Sequence, residues 1–344
     1  MRKRSTTIPE EFQEMVEHFA RHSNKLTNQT GCEAPMFGGV LNALSDLEDG
    51  APESMVWIVS SSAPNDYKIR KKPLLRRIAV TRAKVYHILT NSTKCKMNLY
   101  NEGVNLLREL IVSGGGNQFI VKSKDVGKFM ASYIPTLRSS KLISSVPCNN
   151  TSTICDVPLT TGGAISKLYI TNDNQYGKVD LYDTKGERAP SDEIYNDGRN
   201  EITAVEVHET NYVLRINSSV RHHVQVHGTS PIGVTSAFLV NRFGRINLSD
   251  DNITHIPYTE ENNTVVFHVI GNETDTLLKS VTLHDSQNGN DTTFDLFTRE
   301  NCTFEYFSGP ITCGSNNQVM TVFGLDSEGK PFHRYGGLMC CDLV

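Results

Sequence analysis

Apolar residues in the first 145 positions follow two alternating periods. Apolar runs at 55–59, 84–90 and 118–122 predict buried strands, and apolar residues before and between them recur at helical spacing. Val104, Leu107 and Ile111, for example, lie on one helical face. The order strand, helix, strand, helix, strand, helix is typical of a parallel sheet with right-handed crossovers. We therefore expect a Rossmann-like α/β unit with three parallel strands over residues 1–146.

The pattern changes after this unit. Residues 147–160 are rich in Pro, Asn and Thr and are predicted to form a linker pinned by a small disulfide loop. Beyond them, short segments with period-two alternation are separated by turn sequences such as DTKG and DSEG, and no helical pattern recurs. We expect an all-β region made of two β-sandwich modules, over 161–239 and 240–344.

Composition narrows the class of protein. The 344-residue chain is 38% hydrophobic and 21% charged, as in ordinary globular proteins. Its net charge of -4 gives no reason to expect a nucleic-acid partner. No apolar run approaches the roughly 20 residues of a membrane span, and the basic start MRKR is followed by no apolar signal segment.

Potential N-glycosylation sites nevertheless indicate the secretory pathway. The N-x-S/T motif occurs about twice as often as chance would supply. Because so short a motif also arises by chance, this excess indicates glycosylation without establishing it. The candidate acceptors are Asn28, Asn91, Asn149, Asn150, Asn217, Asn247, Asn252, Asn262, Asn272, Asn290 and Asn301.

Cysteine usage agrees with that indication. The count is even, no C-x-x-C pair occurs, and two close pairs could close local loops, with Cys148–Cys155 as one candidate bridge. Eight free thiols in a cytosolic chain are the alternative. The disulfide candidates are Cys32, Cys95, Cys148, Cys155, Cys302, Cys313, Cys340 and Cys341.

Several motifs, taken in order, resemble a known arrangement. GGVLNALSDL, WIVSSSAPNDY, KVYHILT and VSGGGNQFIVKSKDVGKFM are similar to the second half of a von Willebrand factor A domain of the hemicentin type. RHHVQVHGTSPIGVTSAFL is similar to the galactose-binding-like module that follows that domain, and MTVFGLDSEGKPFHRYGG to the Ig-like module after it. The resemblance implies that Cys32 pairs with Cys95. It leaves the pairing of the last four cysteines open.

The resemblance also implies a degenerate metal site. The family's D-x-S-x-S loop is absent, and its later aspartate falls on Ser61. Divalent cations prefer carboxylate oxygens, whereas this strand end offers neutral hydroxyls. We expect no metal and no cofactor.

The missing first half of the family's sheet would leave strand 55–59 as an exposed edge. Such an edge can pair with another chain, so self-association through 55–59 is expected. The resemblance favours an incomplete product lacking its N-terminal half and signal peptide, and thus an extracellular protein. The alternative takes the MRKR start as real, with the edge covered by a partner.

Two candidate chemical motifs are weak. The serines of SSSAP follow a strand, but G-x-S-x-G is absent, so a hydrolase nucleophile is not expected. His223 and His227 lie on one face of a predicted strand about 13 Å apart, too far for one metal ion. They are predicted to be surface histidines.

Two functions are consistent with these features. The resemblance implies a non-enzymatic extracellular adhesion or matrix protein that binds protein or glycan surfaces, without a membrane span. The alternative is an intracellular, hydrolase-like α/β enzyme with β-sandwich appendages.

Overall fold

The computed structural model describes most of the chain from Cys32 to Met339. The described residues are 14, 32–47, 54–91, 101–148, 154–162, 165–173, 177–218, 222–240, 253–254, 257, 262–271, 275–285, 291–298, 305–312 and 318–339. Strands predominate, and they form two β-sheet modules that follow an α/β unit.

The α/β unit is built on a parallel sheet. Its three strands lie in the order β2–β4–β5, with Val56 beside Val85 and His87 beside Gln118, and a short parallel pair (β1–β3) lies apart. The elements of the unit are β1 (Glu33–Ala34), α1 (Met36–Leu44), β2 (Met55–Ser60), β3 (Ala63–Pro64), α2 (Tyr67–Thr81), β4 (Lys84–Asn91), α3 (Glu102–Ser113), β5 (Asn117–Lys122) and α4 (Val126–Arg138). The three predicted strands and the helices that join them are therefore present. The segment PEEFQEMVEHFARH (9–22), whose apolar residues recur at helical spacing, lies outside the described residues, except for residue 14.

The two faces of this sheet pack differently. One face is aliphatic: Ile58 and Val85 pack against α1, α2 and α3 through side chains such as Val40 and Leu107. The other face is aromatic and is covered by α4. Tyr86 stacks on Trp57 with ring centroids 4.6 Å apart and meets Tyr133 of α4 edge to face.

The first sandwich starts at Lys141. Its strands are β6 (Lys141–Cys148), β7 (Ile154–Thr160), β8 (Lys167–Asn172), β9 (Gly177–Tyr182), β10 (Ser191–Asn196), β11 (Glu201–Glu206), β12 (Asn211–Ser218) and β13 (His222–Gly228). A five-stranded sheet (β10–β11–β8–β13–β6) faces a three-stranded sheet (β7–β12–β9) across an aliphatic core.

The described residues of the predicted linker 147–160, namely 147–148 and 154–160, lie in strands. Residues 141–148 pair with β13, and 154–160 pair with β12, so the segment contributes to both sheets. β7 is an edge strand, where Pro158 removes no bond that the sheet needs. The polar composition that indicated a linker reflects an exposed edge. By strand pairing, the first sandwich begins at residue 141 rather than 161.

The second module is one nine-stranded sheet that curls around its own core. Its strands are β14 (Gly233–Val240), β15 (Ile253–Thr254), β16 (Asn262–Ile270), β17 (Leu277–Asp285), β18 (Asp291–Thr298), β19 (Glu305–Ser308), β20 (Ile311–Thr312), β21 (Gln318–Leu325) and β22 (Pro331–Met339). Ser236 of β14 donates to the Gly336 carbonyl of β22 at 2.7 Å, which nearly closes the sheet. Strand pairing includes β14, so this module begins at 233 rather than 240.

Candidate functional site

The end of strand β2, where the resemblance implied a degenerate metal site, is organised by one carboxylate. Asp66 accepts hydrogen bonds from the backbone N–H groups of Phe37 (3.0 Å) and Gly38 (2.7 Å). These amides belong to the first turn of α1, whose own N-cap residue, Pro35, makes no side-chain bond. Ser61 is half-buried nearby. The carboxylate therefore caps a helix, and within the described ranges no three His, Cys, Asp or Glu side chains form a potential metal site.

A serine–histidine contact lies inside the α/β unit. His87 Nε2 is 2.9 Å from Ser60 Oγ, and His87 Nδ1 is 2.9 Å from the side-chain nitrogen of Gln118. Because the Gln118 amide donates to Nδ1, the neutral ring carries its proton on Nε2 and donates it to Ser60. The sequence motif gave no sign of this pair, since the three residues lie on different strands.

The chemistry of this pair is that of a structural hydrogen bond. Burial lowers the pKa of His87 to about 3, so the ring is neutral and a poor base at neutral pH. Its orientation also offers Ser60 a donor rather than an acceptor. The contact joins β2, β4 and β5 inside the sheet.

The outer face of strand β13 is covered by the α/β unit. Gln225 Nε2 donates to the carbonyls of Gly116 (2.8 Å) and Gly115 (3.3 Å), and its amide oxygen accepts from Tyr133 (3.3 Å). His223 contacts Asn117 at 3.3 Å through Nδ1. These residues form what we call the buried junction.

The prediction of surface histidines is therefore wrong. His223 and His227 do lie on the same strand face, as the alternation required, but both are buried because the α/β unit packs on that face. Burial, assisted by the charge of Lys84, lowers the pKa of His227 to about 3. A single sequence carries no signal for this docking.

The second β-sheet module is joined to the other two units by buried polar contacts. Arg334 is buried and donates to the Ser230 hydroxyl (2.8 Å) and the Ile232 carbonyl (3.3 Å). His333 Nδ1 accepts from the Thr160 N–H at 3.1 Å, and Tyr335 donates to the Ser113 carbonyl of α3. All three units thus form direct hydrogen bonds with one another.

A cleft of about 80 Å³ lies where the three units meet. Four of its lining residues are cationic, and none is acidic: Arg82, Lys84, Lys141 and Arg334. Arg82 donates to Ser236 at 3.0 Å, and its guanidinium lies over the Phe238 ring. In a protein of net charge -4, four cationic side chains thus line this one cleft, the junction cleft.

Two cysteines of the candidate set have described side chains. Cys32 is disulfide-bonded, while its predicted partner, Cys95, lies outside the described residues. Cys155 is free, which contradicts the predicted Cys148–Cys155 bridge. Cys155 instead points partly into the first core from the edge strand β7. Cys302, Cys313, Cys340 and Cys341 also lie outside the described residues.

Two candidate glycosylation sites have described side chains. Asn217 on β12 and Asn262 on β16 are both exposed, so each is accessible to modification. Asn91 ends strand β4, and its side chain lies outside the described set. The other candidate positions are also outside it: Asn28, Asn149, Asn150, Asn247, Asn252, Asn272, Asn290 and Asn301.

Comparison with known proteins finds a family that the C-terminal module resembles. Residues 240–343 match the family described as Irg-7-like, Ig-like domain. The chain as a whole is 22% identical over 351 aligned residues to Protein irg-7 of Caenorhabditis elegans. The alignment includes 95% of this chain but only 16% of that much longer relative.

This similarity replaces the resemblance that the motifs indicated. The matches support an Irg-7-like, Ig-like domain, and they give no evidence for a hemicentin or a von Willebrand factor A domain. The α/β unit has the three parallel strands that the alternation of strand and helix patterns predicted, and that pattern is not specific to one family. The assignment of that unit to the von Willebrand family was wrong.

Solved structures show only distant likeness. A DUF4785 family protein from Legionella pneumophila superposes with a TM-score of 0.31 and 8% identity, covering 59% of this chain and 61% of its own. A GH2 β-galacturonidase from Eisenbergiella tayi, bound to galacturonate, gives a TM-score of 0.17 and 9% identity over 59% of this chain and 37% of its own. Both scores are too low to establish a shared fold.

Proposed function

We propose that this chain is part of a non-enzymatic extracellular adhesion or matrix protein that binds protein or glycan surfaces. The observation that carries the proposal is the fixed arrangement of an α/β unit and two β-sheet modules around shared buried contacts. A rigid unit of this kind presents its exposed strand faces and loops in constant relative positions. Preorganised surfaces bind a ligand at a smaller entropic cost than surfaces on flexibly linked domains.

Two further features support an extracellular setting. Cys32 is disulfide-bonded, and disulfides persist mainly in oxidising compartments. Asn217 and Asn262 are exposed sequon residues.

A direct test uses the chain expressed through a eukaryotic secretory pathway. Treatment with an N-glycosidase should increase its gel mobility, and the purified protein should bind saturably to at least one surface in a panel of immobilised glycans and matrix proteins. Asn217→Gln and Asn262→Gln variants identify the modified sites. A secreted protein that binds no surface of the panel would contradict the proposal.

The hydrolase-like enzyme is a second candidate, favoured by the Ser60–His87 contact. The donor orientation of His87 and its lowered pKa weigh against it. A fluorophosphonate probe, which labels activated serines, separates the two functions. Labelling of wild type that is lost in Ser60→Ala would favour the enzyme, whereas no labelling is expected for an adhesion protein.

Self-association through strand β2 is a further part of the proposal. β2 is an outer strand of the three-stranded sheet formed by described residues, and most of its side chains are only half-buried. An outer strand offers backbone donors and acceptors to a second copy. Light scattering should detect a concentration-dependent dimer that Val59→Lys weakens. A monomer at all concentrations would contradict this part alone.

A further inference from the structure

Helix α2 carries an unusual concentration of positive charge. Its fifteen residues, Tyr67–Thr81, include six cations and no acidic residue, although the whole chain has a net charge of -4. The cations are Lys68, Arg70, Lys71, Lys72, Arg76 and Arg77.

Only one of these cations has an evident structural role. Arg77 donates to the carbonyls of Leu44 (3.1 Å) and Leu47 (2.6 Å) at the end of α1. The other five are exposed. Among the residues that the structure describes, no carboxylate forms an ion pair with them, and Lys68 contacts only the neighbouring Tyr67 ring.

The placement of this charge opposes helix stability. Four of the exposed cations lie in the first two turns, next to the positive end of the helix dipole. Lys68, Lys72 and Arg76 follow one another at i, i+4 and i+8, where like charges repel. Folding therefore gains nothing from this arrangement, which points to a role in binding.

The three cations at this spacing form a stripe, which we call the α2 stripe. Successive members are separated by about 6 Å along the helix axis. Ala79 continues the same line, and it lines the junction cleft together with Arg82 and Lys84. The positive charge of the stripe thus leads into the positive charge of the cleft. A linear ligand with regularly spaced negative groups matches this track.

The residues of α2 argue against two polyanionic ligands, a membrane surface and a single-stranded nucleic acid. Insertion into a membrane surface requires an exposed apolar helix face. Leu74, Leu75 and Ile78 of α2 are buried in the core, and Ile69 is its one exposed large hydrophobic side chain. Single-stranded nucleic acid requires aromatic side chains for base stacking. The single aromatic residue of α2, Tyr67, instead donates to Glu102 at 2.9 Å.

We infer that the α2 stripe binds a linear sulfated polysaccharide, whose sulfate groups contact Lys68, Lys72 and Arg76. The disulfide at Cys32 favours the extracellular compartment, where such polymers are the main polyanions. Clusters of Lys and Arg in short segments are typical of such heparin-binding surfaces. This inference rests on the proposed adhesion function and names its ligand class.

The test compares two variants of equal charge change in the complete chain. The first carries Lys68→Gln, Lys72→Gln and Arg76→Gln. The control carries Lys122→Gln, Lys124→Gln and Lys185→Gln, three exposed lysines outside α2. Binding to immobilised heparin, to chemically desulfated heparin, to double-stranded DNA and to phosphatidylserine vesicles is measured at several salt concentrations, and thermal melting confirms that all proteins are folded.

We expect the stripe variant to bind heparin at least tenfold more weakly, with a smaller salt dependence, and the control to change by less than twofold. Desulfated heparin should bind wild type at least tenfold more weakly than heparin. Equal losses in the two variants, or tighter binding of DNA or vesicles than of heparin, would overturn the inference. If wild type binds other surfaces of the panel but not heparin, only this inference fails. If it binds none, the adhesion function fails as well.

Discussion

Polar residues serve opposite purposes in two regions of the molecule, the buried junction and helix α2. In the buried junction, Gln225 and His223 of β13 meet the Gly115–Asn117 loop, and their polar groups have neutral partners at hydrogen-bond distance. On α2, five of the six cations are exposed, and no carboxylate of the described residues forms an ion pair with those five. Burial requires satisfied, neutral groups because an unpaired charge is costly away from water. Exposed cations such as those of α2 can lie close together because water solvates them, and they remain available to a ligand.

Acidification should have the largest effect, because it destabilises the folded protein through its buried histidines. Burial lowers the pKa of His87, His227 and His333 to about 3, with Arg334 also contributing at His333. The unfolded value is about 6.5, so the folded state binds fewer protons, and stability present above pH 6.5 is lost as pH falls toward 3. Each histidine should lower the free energy of unfolding by about 1.4 kcal/mol per pH unit in that window.

Urea unfolding at pH 7, 6, 5 and 4.5 measures this loss. In His227→Gln the slope between pH 7 and 5 should be smaller than in wild type, since one of the three buried histidines no longer titrates. A free energy of unfolding that stays constant between pH 7 and 5 would show that these rings are accessible to protons in the folded protein.

Gly116→Ala should disrupt the same junction by steric overlap. An added Cβ would lie 1.8 Å from the Val85 carbonyl oxygen, so the loop that presents the Gly116 carbonyl to Gln225 must move. We expect a loss of about 3 kcal/mol or more in the free energy of unfolding. Gly309→Ala, whose Cβ meets nothing within 4 Å, is the matched control and should be nearly neutral. Comparable losses in both variants would contradict the steric account.

Gln225→Ala tests the hydrogen bonds alone. It leaves the Gly115 and Gly116 carbonyls without this donor in a buried site, which should cost about 1 to 3 kcal/mol. Arg215→Gln removes an exposed pair with Asp156 on the same sandwich and should lower the denaturant midpoint much less, because water screens this pair. Denaturant midpoints of the two variants compare buried with exposed polar contacts directly. A larger loss of stability in Arg215→Gln than in Gln225→Ala would show that the exposed contact matters more than the buried one.

Lys72→Glu should have the smallest effect, and in the opposite direction. It converts two repulsive neighbours, Lys68 and Arg76, into favourable i, i+4 pairs worth about 0.2 to 0.5 kcal/mol each. The melting temperature should rise slightly at low salt, and Lys72→Gln should give about half the gain. A decrease would mean that Lys72 has a structural role.

The sequence by itself determined the local elements and their order. Apolar runs defined β2, β4 and β5, helical spacing defined α3, and period-two alternation placed His223 and His227 on one strand face. These features depend on residues close in sequence, so a single chain shows them. The six cations of α2 are equally visible in the sequence.

Only the tertiary structure decided what covers each face. Docking of the α/β unit buried His223 and His227, which were predicted to be surface residues, together with Gln225. Strand pairing across long sequence separations converted the apparent linker at 147–160 into two strands. The Ser60–His87–Gln118 contact and the junction cleft likewise join residues from distant segments. Burial is a property of the packed partner as much as of the residue, and no local pattern encodes it.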